Sequence, residues 1–234
     1  MTTSEVHIEA WLKQGFDLYK NNAATLILAS LFALIVSTVT FGILSGPMYA
    51  GLIMIALRLH DGESPPPDAG DVFKGFDVFL SAFLFNLVWG LIAGAVMTVL
   101  GAIVPPIGSV AGLVAGLAVT SAVMFGMFLI VEKRMEFWPA SMASLEKVKA
   151  NFLPFIAFYI AIGFLGSLGA VLCLIGVILT FPIMLCTLTV AYRDVFGGAG
   201  ASSGMIDAPP PAPPSADPEG SGAGDAPDAP QGGS

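Results

Sequence analysis

The stretch VFKGFDVFLSAFLFNLVWG, residues 72–90, contains the pattern that decides the fold. Its first six residues mix charged and apolar side chains, and the last charge is Asp77. From Val78 the chain continues to Val131 without any charged residue. One membrane-spanning helix needs about 20 residues, so this run is long enough for two. The stretch therefore predicts an amphipathic lead-in followed by a hairpin of two transmembrane helices.

Two further runs, residues 21–57 and 150–192, also lack charged residues. The whole chain is 56% hydrophobic and 11% charged, and its mean hydropathy is +0.84. Soluble domains carry about 25% charged residues, and they cannot hide this much apolar surface from water. We therefore predict an all-α membrane protein. Its six transmembrane helices form three hairpins, over about residues 22–41, 44–59, 80–103, 107–131, 152–171 and 174–192.

An amphipathic stretch precedes each hairpin. In the first, Ile8, Trp11, Leu12 and Tyr19 recur at spacings of three and four, which is the period of a helix with one apolar face. Aromatic and basic residues beside a spanning segment are typical of the headgroup layer. We predict an interfacial helix before each hairpin. The alternative is that these stretches are the cytoplasmic ends of tilted spanning helices.

Several features recur along the chain. Gly-Phe-Asp stands at 15–17 and at 75–77, and Ser-Leu-Glu (144–146) occupies the comparable place before the third hairpin. Eleven residues separate Pro47 from Arg58 and also Pro182 from Arg193. We predict three repeated units, at about residues 5–59, 70–133 and 140–195, in parallel orientation. The alternative is chance similarity among apolar strings.

All basic residues lie before, between or after the hairpins, and none lies in the turns inside them. They are Lys13, Lys20, Arg58, Lys74, Lys133, Arg134, Lys147, Lys149 and Arg193. The positive-inside rule makes that side cytoplasmic. We predict a multi-pass protein of the bacterial inner membrane, with both termini in the cytoplasm and no cleavable signal. The acidic tail, residues 198–234, is rich in Pro and Gly and is predicted to be disordered.

The candidate site residues divide into two groups. The first group ends hairpins or precedes them and could anchor to lipid headgroups: Arg58, Arg193, Lys20 and Lys149. The second group is structural: Gly46, Pro47, Pro182, Asn86, Gly108, Gly112 and Gly116. Pro47 suits the first turn of a helix and Pro182 a kink. Asn86 suits either a bond between helices or a cavity wall. The glycines, with Gly90 and Gly94, suit close helix packing or a dimer seam.

The sequence also argues against several functions. No ionisable residue falls in the centre of a predicted span, which argues against a proton-coupled pump. Both histidines, His7 and His60, lie outside the spans, and no catalytic or phosphate-binding motif is present. Cys173 and Cys186 sit in apolar runs and resemble buried hydrophobic residues. We therefore expect no enzymatic activity, no catalytic residues, no metal, no cofactor and no nucleic-acid partner.

Four segments resemble a broad group of bacterial integral-membrane proteins of unknown function, related to the membrane domain fused to some glycerophosphodiester phosphodiesterases. They are Gly46–Leu52 with Arg58, Asp71–Phe76, Ser144–Phe152 and Ala191–Gly197. The resemblance covers about residues 10–197 and implies a fold rather than an activity, because this chain contains no phosphodiesterase domain. We expect a non-enzymatic protein that engages membrane lipids, a membrane partner or a second copy of itself. The alternative is a small transporter or export component for a neutral or amphipathic solute, which requires a polar cavity between the helices.

Overall fold

The computed structural model describes residues 7–103, 107–171 and 173–197. Within those ranges every regular element is a helix. The α-helices are α1 (Ile8–Asn21), α2 (Ala23–Val39), α3 (Ser45–His60), α4 (Phe79–Ile103), α5 (Ile107–Ala122), α6 (Gly126–Lys133), α7 (Phe137–Ala150), α8 (Phe152–Val171) and α9 (Cys173–Phe196). A 3₁₀ helix, Ala69–Val78, stands before α4. The predicted tail and the turn predicted at Pro105 and Pro106 lie outside the described residues.

Three to five segments are long and apolar enough to cross a membrane. Three are single helical segments, Ala69–Ala102, Val114–Lys133 and Ile178–Phe196. Two more qualify if α1 with α2, and α7 with α8, each count as one bent span. The predicted helix at 44–59 corresponds to α3, which has 16 residues. At 1.5 Å per residue, α3 is about 24 Å long and shorter than the hydrocarbon core of about 30 Å.

The first and third lead-in stretches are separate helices at a steep angle to the helices that follow. The chain bends by 89° between α1 and α2 and by 108° between α7 and α8. The residues at these bends are Asn22 and Asn151. The Asn22 side chain donates to the Leu18 carbonyl at 3.1 Å, so it satisfies a backbone group that the end of α1 leaves free.

The middle lead-in differs from the other two. It is the 3₁₀ helix, and it continues into α4 as one segment, Ala69–Ala102, without a sharp bend. Ala82 stands where the repeat spacing places Asn22 and Asn151 in the other units. Alanine offers no polar side chain to a freed backbone carbonyl, which explains why the chain runs straight on here. We name α1, the 3₁₀ helix and α7 the leading helices.

The helix predicted at 107–131 is broken. Residues 123–125 form a turn between α5 and α6. The hydroxyl of Ser144, on α7, donates to the Ala122 carbonyl at 3.0 Å and accepts from the Phe125 N–H at 3.3 Å. A side chain that inserts into the backbone ladder is a recognised cause of such breaks. The sequence could not reveal this break, because Ser144 is remote along the chain.

Each leading helix packs against the last helix of another predicted unit. α1 lies on α9, the 3₁₀ helix on α3, and α7 on α6. A small residue marks each contact. A Cβ at Gly15 would lie 2.5 Å from the hydroxyl oxygen of Thr187, and one at Gly75 would overlap the Pro47 carbonyl. Ser144, fully buried, makes the third contact. These close approaches fix the leading helices against the bundle.

The core lies along α3, α6 and α9, whereas α4 is peripheral. Among the largest fully buried side chains are Met48, Phe128 and Tyr192, one from each of those three helices. Only 6% of the apolar window in Ala69–Ala102 is buried, against 67% in Val114–Lys133 and 56% in Ile178–Phe196. In a membrane, lipid would cover the outer face of α4.

Glycines allow close packing at some of the predicted positions. A Cβ at Gly46 would lie 2.5 Å from the Ala82 carbonyl oxygen, so α3 and α4 touch there. A Cβ at Gly112 would lie 2.9 Å from the Met97 carbonyl oxygen, and one at Gly116 would lie 3.2 Å from Met97 Cγ. These glycines on α5 face α4, and Gly108 lies in the same helix.

The glycines of α4 do not take part in this packing. Cβ atoms built at Gly90 and Gly94 would meet no atom within 4 Å. The close approach of α4 and α5 therefore depends on α5 glycines against Met97, rather than on glycines of both helices. The reason is rotational: Met97 points one face of α4 at α5, and Gly90 and Gly94 lie away from that contact.

Candidate binding cavity

A cavity of about 530 Å³ lies among α2, α3, α4, α8 and α9. Most of its wall is apolar. Its polar lining consists of the hydroxyl groups of serines and tyrosines and one amide: Ser30, Ser37, Ser45, Tyr49, Tyr159 and Asn86. Ligand cavities for small organic molecules have about this volume, and a few polar groups in an apolar wall are typical of them.

A second cavity, of about 210 Å³, adjoins the first. Three residues line both: Tyr49 on α3, Asn86 on α4 and Tyr159 on α8. Each comes from a different predicted unit, so the two cavities meet where the three units converge. The second cavity extends this space to Trp89 and Thr120. Trp89 is held in place because its indole N–H donates to the Ser141 hydroxyl at 2.8 Å.

Asn86 both joins helices and lines the cavities. Its amide nitrogen donates to the Ser45 hydroxyl at 2.7 Å, and Ser45 donates to the Gly42 carbonyl at 2.5 Å. Among the described residues no donor occupies the Asn86 amide oxygen. That oxygen can accept two hydrogen bonds, so it is available to a ligand that carries an O–H or N–H group.

Two further acceptor groups belong to the larger cavity. Pro182 lies inside α9 and has no N–H, so it cannot donate to the carbonyl of Ile178, a residue of the cavity wall. The Ser30 hydroxyl is buried and has no hydrogen-bond partner among the described residues. An unpaired buried hydroxyl is unfavourable by about 1–3 kcal/mol, and a bound donor would relieve this.

No Asp, Glu, Lys, Arg or His lines either cavity. The walls can form hydrogen bonds but cannot neutralise a charge, and burying an unpaired charge in so apolar a space is strongly unfavourable. The site therefore fits an uncharged molecule. In the part of the chain that the structure describes, no group of three or more His, Cys, Asp or Glu could hold a metal ion.

The two arginines predicted as headgroup anchors have carboxylate partners. Arg58 binds Glu63 at 2.5 Å and Asp71 at 2.7 Å. Asp71 also pairs with Lys74 at 2.9 Å, so the end of α3 is fastened to the 3₁₀ helix. These ion pairs hold the guanidinium group of Arg58 within the protein, and its role as a lipid anchor stays a prediction.

Arg193 ties together the ends of three helices. Its guanidinium group pairs with Asp61, which follows α3, and with Glu132 on α6. The neighbouring Tyr192 hydroxyl donates to Glu132 as well. α3, α6 and α9 are thus joined at one end of the bundle by a cluster of four side chains. Its side chain is 19% exposed, and headgroup binding by Arg193 also stays a prediction.

The two lysines predicted as anchors lie on leading helices. Lys20, in the last turn of α1, places its ammonium group 5.5 Å from the centre of the Phe16 ring. Lys149 is exposed in the last turn of α7. Neither has a carboxylate partner among the described residues, so both remain candidates for binding lipid headgroups.

The sequence indicated only part of this site. Asn86 and Thr120 were expected in a polar cavity, and both line one. Ser121 and Thr187 were expected there too, but they lie outside both cavities: each donates to a carbonyl of its own helix. Tyr49, Tyr159 and Ser30 were missed. The available signal was a tyrosine in each of two otherwise apolar runs.

No family model, no curated protein and no solved structure matches this chain. The site is therefore interpreted from its own geometry.

Proposed function

We propose that this is a non-enzymatic protein of the bacterial inner membrane that holds an uncharged, lipid-like molecule in the cavity described above. The observation that carries the proposal is the convergence of Tyr49, Asn86 and Tyr159 on one apolar space that contains no ionisable group. The apolar walls suit a hydrocarbon chain, and the acceptors suit a hydroxyl-bearing head. A diacylglycerol has this chemistry.

The volume of the cavity supports a partly inserted ligand. A cavity of about 530 Å³ is within the range of drug-sized binding sites, but it is smaller than a whole diacylglycerol. The hydroxyl head and the first part of an acyl chain would occupy it, and the rest of the chain would continue into the bilayer beside α4. The low burial of α4 supports such a lateral path.

The topology proposed with this function has six spans in three parallel hairpin units, with both termini in the cytoplasm. The packing of α2 on α3, α4 on α5 and α8 on α9 supports the hairpins. The equivalent places of Gly15, Gly75 and Ser144, each at the contact between a leading helix and a last helix, support the repeat. Interfacial α1 and α7 explain the steep bends that follow them.

A specific observation also favours a transporter of a neutral or amphipathic solute. The centre between the units holds a polar-lined cavity instead of dry glycine packing, and Asn86 and Thr120 line its walls. In such a protein the cluster of Arg193, Asp61 and Glu132 would close one end and would have to separate during transport. Flux of a solute into proteoliposomes distinguishes this function from stable lipid binding.

The test fills the cavity. Ser37 lines it, whereas the next residue, Thr38, is exposed and lies outside the wall. Native mass spectrometry of detergent-purified protein with dioleoylglycerol measures binding. We expect Ser37→Phe to weaken binding by at least about tenfold, because the ring occupies the ligand's space. Thr38→Phe, the matched control, should bind as the unaltered protein does. Equal binding by all three proteins contradicts the proposal.

A further inference from the structure

The basic residues fall into two classes by their partners. Arg58, Arg134, Arg193 and Lys74 pair with carboxylates. The remaining five have no carboxylate within ion-pair distance among the described residues: Lys13, Lys20, Lys133, Lys147 and Lys149. Positive charge without an internal partner is available to an external anion, so these five lysines define where anions could bind.

Two of these lysines converge on a single aromatic ring. The ammonium nitrogens of Lys133 and Lys147 each lie 5.8 Å from the centre of the Phe196 ring. The three residues come from the end of α6, from α7 and from the end of α9. Phe196 is itself fixed, because its ring packs against Tyr192 at 5.2 Å and Phe125 at 5.6 Å between ring centres.

The electrostatics of this arrangement are incomplete without an anion. An aromatic face attracts one ammonium group by about 0.5–1 kcal/mol at an exposed site. Two ammonium groups beside one ring also repel each other. The carboxylate next to Lys133 along the chain, Glu132, is engaged by Arg193 and Tyr192. An anion that contacts both ammonium groups would turn this repulsion into attraction.

The surroundings indicate the source of that anion. Lys133 and Lys147 lie on the face that holds all the basic residues, next to the start of α7, where Trp138 is 56% exposed. Exposed tryptophan beside lysine is typical of the lipid headgroup layer. We propose that Lys133, Lys147 and Phe196 form a binding site for the phosphate group of an anionic phospholipid. This site is separate from the cavity and does not depend on its ligand.

The test compares two variants with equal loss of charge. Lys133→Gln/Lys147→Gln removes the pair over Phe196. Lys13→Gln/Lys20→Gln is the control, and it too removes a lysine that stands over a ring, Phe16, but without a second lysine there. Native mass spectrometry of the detergent-purified full chain measures the binding of phosphatidylglycerol, with phosphatidylcholine as the zwitterionic comparison.

We expect the Lys133/Lys147 variant to bind phosphatidylglycerol about tenfold more weakly and the control to stay within about twofold. Phosphatidylcholine binding should be the same in all three proteins, and thermal unfolding should show that each is folded. An equal loss in both variants would indicate a diffuse basic surface and would overturn the site, as would no loss in either. Displacement of the lipid by millimolar inorganic phosphate would overturn the assignment to a phospholipid.

Discussion

The backbone N–H of Phe125 donates to the hydroxyl of Ser144, which lies on another helix 19 residues further along the chain. The same hydroxyl donates to the Ala122 carbonyl, so one side chain satisfies both edges of the break between α5 and α6. Gly15 and Gly75 occupy the equivalent places on the other two leading helices. A small residue at this position therefore serves each contact, and in the third unit the hydroxyl adds backbone hydrogen bonds.

Replacing Ser144 tests the importance of this contact. Ser144→Ala leaves the Phe125 N–H without its partner in a buried place, which should lower the free energy of unfolding by about 1–3 kcal/mol. Thr38→Ala is the control, since the Thr38 hydroxyl is exposed and bonds only within its own helix. It should change stability by no more than about 0.5 kcal/mol. Thermal unfolding in detergent measures both, and equal midpoints would contradict the role given to Ser144.

Adding a methyl group at Gly75 tests the contact between the 3₁₀ helix and α3. The new Cβ in Gly75→Ala would overlap the Pro47 carbonyl, so the backbones must separate, and we expect a loss of about 1–3 kcal/mol in stability. Gly94→Ala meets no neighbour and should be neutral or stabilising by up to about 1 kcal/mol. Detergent unfolding of the two variants decides the matter. A destabilised Gly94→Ala, with Gly75→Ala unchanged, would reverse our packing assignment.

Removing the charge of Arg193 should loosen the ends of three helices. Arg193→Gln leaves Asp61 and Glu132 without their common partner, and because the cluster is only partly buried we expect a loss of about 1–3 kcal/mol. Arg134→Gln is the matched control: its ion pair with Asp77 is 3.8 Å long and well exposed. Such a pair contributes about 0–1 kcal/mol. Unfolding midpoints report both, and equal effects would show that the cluster adds nothing particular.

Labelling of single cysteines tests the proposed topology. Ile43, in the turn between α2 and α3, and Ser64, beyond α3, are both exposed. A membrane-impermeant maleimide should label Ile43→Cys in intact cells, because this turn is proposed to face outward. It should label Ser64→Cys only after the cells are permeabilised. The opposite pattern would invert the topology, and the unaltered chain controls for its own cysteines.

Most helix bounds follow from the sequence. The predicted helix at 152–171 coincides with α8, and those at 22–41, 44–59 and 80–103 differ from α2, α3 and α4 by at most two residues at either end. The physical reason is that a backbone in lipid must satisfy its hydrogen bonds internally, so an uncharged run of this length has few alternatives to a helix. The broken helix at 107–131 is the exception, because its break depends on Ser144.

The candidate site was less accessible to sequence reasoning. Polarity within an apolar run singled out Asn86 and Thr120, but the same reasoning placed Thr187 in the cavity, whereas Thr187 packs against Gly15. Rotation about a helix axis decides whether a polar side chain faces a cavity or a neighbouring helix. An apolar run has little periodicity to reveal that rotation, because lipid and protein core are both apolar.

The sequence by itself determined the class of protein, the approximate helices and the side on which the basic residues lie, because composition and charge act locally along the chain. Only the tertiary structure decided that the leading helices pack across units, that Arg193 joins Asp61 to Glu132, and that Tyr49, Asn86 and Tyr159 meet at one cavity. These relationships join residues up to 183 positions apart, as in the bond from Trp11 to Asp194. They depend on the packing of whole helices, which no local pattern specifies.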